Sequence, residues 1–133
     1  MPAGKMFKLV SDTSAWIAYF AGRDCPLLEA GLAAGTVEIP AMVKLELLGN
    51  VLTAKDRKSL EQTLAGLTVL SMNEEHITRA GRLKASLEEK GTAISARDAH
   101  ILQCAIDQDA ILISNDPLFV SIQKSAGVRV QVW

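Results

Sequence analysis

Apolar positions along this chain follow two rhythms that take turns: short unbroken runs, and longer stretches that recur every three to four residues. The runs predict buried strands, and the recurrences predict helices with one face toward a core. The first run, at 7–11, passes straight into Asp12-Thr13-Ser14-Ala15-Trp16-Ile17, a helix start with three residues able to cap it. Asp12 therefore stands at the C-terminal end of the first strand. Residues 26–34 predict a short helix closed by Gly35, 36–39 a second strand ended by Pro40, and 41 to about 52 a longer helix. An amphipathic helix at 54–65 carries a solvated cluster (Lys55, Asp56, Arg57, Lys58) and ends at Gly66. A third strand at 67–72 leads to Asn73, which caps a helix running to Lys90 with Gly91 as its stop. Its predicted core stripe is Ile77, Ala80, Leu83 and Leu87, with His76 at the surface of the first turn and Arg79, Arg82 and Lys84 on a solvated face. A helix at 94–106 follows. An all-apolar strand at 110–114 then ends in Asn115-Asp116-Pro117, where Asp116 and Pro117 make a good cap and first-position pair. A helix at 118–125, a stop at Gly127 and a last strand at 128–132 complete the pattern. Alternation of this kind predicts an α/β domain with a mainly parallel sheet covered by helices on both faces.

Two of these helices set a carboxylate where the apolar stripe should be unbroken. Advancing about 100° per residue from Asp98, Ala99, Leu102 and Ile106 fall on one side, and Ile101 and Ala105 on the other. His100, Gln103 and Asp107 gather on the opposite, polar face. In the helix at 41–52, Met42 and Leu45 lie on one side of Glu46, and Val43 and Leu47 on the other. An unpartnered buried carboxylate costs roughly several kcal/mol, so each acid calls for a cation, a hydrogen-bond donor or a helix N-terminus. A buried Arg or Lys is the ordinary partner for Glu46, and capping is the ordinary role for Asp12 and Asp116. Ligand sites in such sheets lie beyond the C-terminal ends of strands. Four acids converging on that edge are harder to explain as caps alone.

Composition narrows what the edge could bind. The 133 residues suit one domain spanning 1–133. Lys and Arg number 14 against 15 Asp and Glu, so no bulk basic footprint advertises a nucleic-acid partner. Such work would rest on bound cations or on a local patch, for which Lys44, Arg97 and Lys8 are the candidates beside the acids. Cys25 and Cys104 match no metal or redox spacing and read as buried free thiols, which suits a reducing compartment. No apolar run is long enough to span a bilayer, and Met1 to Met6 lack the apolar core of a signal peptide, so a cytoplasmic protein off the membrane is expected.

Carboxylate oxygens are hard ligands, suited to Mg²⁺ and Mn²⁺. Such an ion would offset the repulsion of four acids, activate a bound water and steady the charge of a phosphoryl group. That is the machinery of a metal-dependent phosphodiester hydrolase. The sequence offers no glycine-rich phosphate loop, no Ser-His-Asp set picked out by spacing, and no zinc signature.

Four segments carry a resemblance: Leu9-Val10-Ser11-Asp12-Thr13-Ser14-Ala15-Trp16; Glu46 in its helix; Asp98-Ala99-His100-Ile101-Leu102-Gln103-Cys104-Ala105; and Leu112-Ile113-Ser114-Asn115-Asp116-Pro117-Leu118-Phe119. In this order and spacing the sequence resembles the PIN-domain family, and within it the VapC-like toxin ribonucleases, over nearly the whole chain. The resemblance implies a three-layer α/β/α sandwich with a mainly parallel five-stranded sheet. It implies RNA cleavage dependent on Mg²⁺ or Mn²⁺, a homodimer, and a small antitoxin protein that inserts a segment near the acidic site. By the same resemblance Asp12, Glu46, Asp98 and Asp116 are the catalytic acids and the metal ligands. Ser114 stands for a hydroxyl near the last acid, where Thr is more usual, and Ser14 supports the metal or its waters. Asn115 beside Asp116 leaves open which of the two faces the metal. His100 and Gln103 stand where small or apolar residues are common.

Two other readings compete. An inactive PIN-like module for binding or assembly is opposed by the intact quartet. A receiver-like regulatory domain shares the alternating order but wants adjacent acids after its first strand, and Asp12 has no acidic neighbour. The helix at 42–52, apolar on more than one face, predicts an interface with a second copy or with the antitoxin.

Overall fold

The five apolar runs all become strands, four of them shorter than the run and β2 the same length but shifted by one residue. The computed structural model describes residues 7–50 and 52–133. Residues 1–6, the stretch considered for a signal peptide, and Val51, inside the predicted third helix, lie outside the described residues. The chain runs β1 (Leu9–Ser11), α1 (Thr13–Phe20), α2 (Pro26–Ala34), β2 (Val37–Pro40), α3 (Ala41–Leu48), α4 (Ala54–Ala65) and β3 (Thr68–Leu70). It continues through α5 (Glu74–Glu89), α6 (Ala96–Asp107), β4 (Ile111–Ile113), α7 (Pro117–Ser121), α8 (Gln123–Ala126) and β5 (Arg129–Gln131).

All pairings are parallel, in the order β3-β2-β1-β4-β5. The chain winds outward from β1 to β3, then crosses back to lay β4 on the other side of β1. Crossovers of one hand that move in opposite directions put their helices on opposite faces, which gives the three-layer α/β/α sandwich. The reversal makes the boundary of β1 and β4 the switch point of the sheet, and in such sheets ligands bind at the C-terminal ends there. β1 and β2 are buried at every residue, while the edge strands β3 and β5 are mostly exposed. Gly31 lets α2 lie directly on the sheet: a Cβ there would meet Leu9 Cδ1 at 2.4 Å and Val37 Cγ2 at 2.8 Å.

The single helix expected at 118–125 is broken at Ile122 into α7 and α8. Three further details differ from the expected pattern, each for a local reason. α3 stops at Leu48, short of the predicted end near 52. Gly49 is a poor helix former, and Arg57 of α4 takes the departing carbonyls, with Nη1 on Leu48 O at 3.0 Å and Nη2 on Asn50 O at 2.8 Å. Arg57 is thus a C-terminal cap rather than one more solvated charge. In α5, Ile77 is 53% exposed while His76 is buried, so the buried stripe is shifted by one residue at its start. In α6, the face expected to be solvated is buried as well: His100 and Gln103 are covered, and every residue from Ala99 to Ala105 is inside.

One interaction explains the last two differences. His76 Nε2 lies 2.7 Å from His100 Nδ1, with the ring planes 81° apart, where α5 packs along α6. His100 Nε2 accepts the backbone N–H of Met42 at 3.3 Å, so its proton sits on Nδ1 and is donated to His76. His76 Nδ1 faces Asp107 Oδ2 at 3.8 Å, and that carboxylate is held by Arg79 at 2.7 Å and Gln103 at 2.8 Å. Burial lowers the proton affinity of His76, with Asp107 opposing and Arg79 reinforcing. Burial, with His76 adding to it, pushes His100 down to about 4.

An unfolded histidine titrates near about 6.5. Below that value the unfolded chain binds protons that the folded chain refuses, so stability should fall as pH drops from about 6.5 toward 4. Replacing His100→Gln keeps one donor and one acceptor but removes the titration. It should cost about 1–3 kcal/mol at neutral pH and flatten the acid limb. Urea denaturation at about pH 7 and pH 5 reads both quantities. An acid limb as steep as the parent's would place its origin elsewhere.

Candidate active site

The switch-point edge collects side chains from four segments. Asp12 follows β1 directly, in an extended conformation, and caps α1. Its Oδ1 accepts the Ala15 N–H at 3.2 Å and the Ser14 hydroxyl at 2.8 Å. Its Oδ2 accepts the hydroxyl of Ser114 at the end of β4, and Ser114 Oγ in turn accepts the Asp116 N–H at 3.0 Å. Asp12 and Ser114 are both buried. The capping role read from the sequence is therefore real and incomplete: one oxygen of Asp12 caps the helix, and the other reaches the neighbouring strand.

Asp116 also caps its helix, with Oδ1 accepting the Leu118 N–H at 2.9 Å. Asn115 turns away from the acids. Its side chain donates to Trp133 O at 3.0 Å and accepts from Trp133 N at 2.8 Å, pinning the segment after β5. Of the two neighbours, it is Asp116 that is tied through Ser114 to Asp12.

Glu46 and Asp98 are joined by Arg97. The guanidinium places Nε 2.8 and 2.9 Å from the two Glu46 oxygens and Nη1 3.2 Å from Asp98 Oδ1. Nη2 donates to Thr13 Oγ1 at 2.9 Å, and the Thr13 hydroxyl donates to Glu46 Oε1 at 2.8 Å. The partner that Glu46 demanded from its apolar surroundings is thus Arg97. Asp98 has no capping duty, because Ser95 Oγ takes its backbone N–H at 3.0 Å, and its side chain is only 14% exposed.

Thr13 is the residue that sequence reasoning passed over. Nothing in the pattern distinguishes it from a spare cap until α3 is laid beside it. Arg97 was legible only as a charge near the site, although two acids in need of a cation, one of them its own neighbour, point to it. The other two basic candidates fare differently. Lys44 lies half-buried on α3, two residues before Glu46. Lys8 does not reach the acids: it precedes β1, at the opposite end of the strand, with Nζ on Gln108 Oε1 at 2.9 Å and Glu38 Oε1 at 3.2 Å.

The donor set is all hard oxygen, and a guanidinium already sits among it, so the site is built to hold positive charge. That chemistry fits a divalent cation. Its spacing is not yet that of a closed coordination sphere. Among the described residues, the ligand-type atoms that gather within 4.8 Å as a set of three are those of His76, His100 and Cys104. That set is not arranged to coordinate. A metal-bound histidine normally donates its other ring N–H, whereas His100 Nε2 accepts one, leaving its Nδ1 protonated. Burial also pushes the Cys104 thiol up to about 12, so it stays uncharged.

Comparison with known proteins identifies the fold and the family. The PIN domain model matches residues 9–124. A curated relative, Ribonuclease VapC2 of Haemophilus influenzae, is 30% identical over 74 residues, covering 56% of this chain and 54% of the relative. The matched stretch thus spans about half the length of that relative. Among solved structures, DNA-bound VapBC from Salmonella typhimurium superposes with a TM-score of 0.78 at 20% identity, covering 96% of this chain and 99% of that one. VapBC2 from Rickettsia felis, bound to a promoter DNA fragment, gives a TM-score of 0.71 at 20% identity, covering 94% and 98%. With its sheet order, its acid-bearing switch edge and a family match over most of its length, the chain belongs to the PIN-domain family.

Proposed function

We propose that this protein is an endoribonuclease dependent on Mg²⁺ or Mn²⁺, and the toxin of a toxin–antitoxin pair. The observation that carries the reading is the linkage of four acids from four segments at one sheet edge, through Ser114, Thr13 and Arg97. The curated relative named as a ribonuclease, and the VapBC complexes among the structural neighbours, support the same activity and the same kind of partner.

In this reading Asp12, Glu46, Asp98 and Asp116 hold the cation, which when bound would activate water and stabilise charge on the phosphodiester. The chain's own contribution is placement. Ser14 and the Ala15 N–H fix one oxygen of Asp12, and Ser114 fixes the other. Ser114 also sets the backbone of Asp116. Thr13 orients Glu46. Lys44, on the helix that carries Glu46, is the remaining candidate for a phosphate contact. An inactive PIN-like module is the competing reading, favoured by Arg97 filling the space between two acids. Among the described residues no helix is long and apolar enough to cross a membrane, and the cytoplasmic placement belongs to this proposal.

Partners are assigned to the face around α3. Leu45 is 64% exposed on it. Beside it a groove of about 290 Å³ is lined by Ile17, Phe20, Leu47, Leu52 and Leu60, among others. A second copy or the small antitoxin would cover this apolar surface. Light scattering at tens of micromolar should give a dimer for the isolated protein. A monomer whose Leu45→Glu variant also still binds the antitoxin would remove this face from both roles.

Two measurements test the chemistry. Asp98→Asn should lower cleavage of a single-stranded RNA in Mn²⁺ by on the order of a hundredfold or more, since cation placement suffers. Its metal-free stability should change by less than about 1 kcal/mol, because the lost ion pair is partly solvated. A variant as active as the parent would end the assignment. Millimolar Mn²⁺ should raise the parent's melting temperature by several degrees through preferential binding to the folded state. A melting temperature indifferent to Mn²⁺ would favour the inactive module.

A further inference from the structure

The site already contains a cation, and it belongs to the chain. Arg97 spends Nε on both oxygens of Glu46, Nη1 on Asp98 and Nη2 on Thr13, so its guanidinium is fixed by four bonds. Thr13 gives its own proton to Glu46, so Oε1 of that carboxylate is shared between two donors. Glu46 and Asp98 come from α3 and α6, and the guanidinium lies between them as their common counter-charge. Mg²⁺ holds its oxygen ligands at about 2.0–2.1 Å, so ligands of one ion crowd closely together. Among the described residues, no three of these acids bring carboxylate oxygens within 4.8 Å of one another. A fixed +1 charge in contact with two prospective ligands also repels an incoming divalent ion at short range, where solvent screens little.

We propose that Arg97 is a displaceable counter-cation: its bonds to Glu46 and Asp98 and the occupancy of the acid cluster by a divalent ion exclude one another. The inference rests on the metal-dependent reading of the site and adds a regulatory residue to it. At low metal Arg97 offsets part of the acids' charge and steadies the fold; at high metal the ion takes its place. A positioning role, in which Arg97 stays on Glu46 and aims it at the ion, makes the opposite prediction for affinity.

The test is a Mn²⁺ titration of the full chain, comparing the parent with Arg97→Gln and Arg97→Lys. Direct binding is read by calorimetry and stability by thermal melting. Metal-free Arg97→Gln should melt below the parent. It should bind Mn²⁺ at least tenfold more tightly, and its melting temperature should meet the parent's when Mn²⁺ saturates both. Arg97→Lys, which keeps the charge but loses the forked bonds, should fall between. Equal or weaker Mn²⁺ binding by Arg97→Gln overturns the proposal while leaving the nuclease reading intact. Absence of Mn²⁺ binding in the parent and both variants overturns the two together. Should Arg97→Gln fail to fold without metal, the Arg97→Lys titration decides: tighter binding than the parent supports displacement, and equal or weaker binding overturns it.

Discussion

The hydrogen bond from Ser114 to Asp12 is where the two halves of this chain meet. The two residues are 102 positions apart, and the sheet makes them neighbours by laying β4 beside β1. Both are buried, so neither polar group can fall back on water. Leaving either unpartnered would cost roughly 1–3 kcal/mol, and the pairing therefore specifies the register of the two central strands as well as aligning an acid. Asp116 inherits its position from the same hydroxyl through its backbone N–H. A single buried Ser thus converts strand order into acid geometry.

The fold handles its buried titratable groups in two contrasting ways. The His76–His100 pair is kept neutral: each ring nitrogen of His100 has a hydrogen-bond partner, and no charge need be hidden. Glu46 and Asp98 stay charged and share one guanidinium as counter-charge, at a site only partly shielded from solvent. The first arrangement is cheap to bury and of no use to a cation. The second relies on the positive charge held beside it. Function is therefore to be sought in the half-exposed cluster and not in the drier one.

How much of this could be read in advance varies with the kind of interaction. Elements set by local rhythm were legible: α4, α5 and the strand before Asn115 lie within a residue or two of their predicted places. So was the convergence of Asp12, Glu46, Asp98 and Asp116 on one edge, because alternating strands and helices leave few topologies. What failed was any judgement that assumed a polar residue seeks water. Periodicity places His76 and His100 on surfaces because it treats each helix alone, and their burial is a property of the pair. Arg57 and Arg97 looked like ordinary charges because the carbonyls and carboxylates they serve come from other segments. Lys8 failed for the opposite reason: nearness in sequence to Asp12 put it on the same strand but at the wrong end.

The histidine cluster and the acid cluster are nevertheless one mechanical unit, because both hold α3 against α6. His100 accepts the N–H of Met42, in the first turn of α3, and Arg97 grips Glu46 four residues further along. Two tethers about one helical turn apart fix both the position and the rotation of α3, which a single tether could not do. Both tethers leave α6 within three residues of Asp98. The helix therefore carries one acid directly and sets the other through its neighbours. This explains why α6 is enclosed along seven consecutive residues when an amphipathic helix would bury only a stripe. A helix that must register two others and present a carboxylate at its first turn has no face left over for solvent.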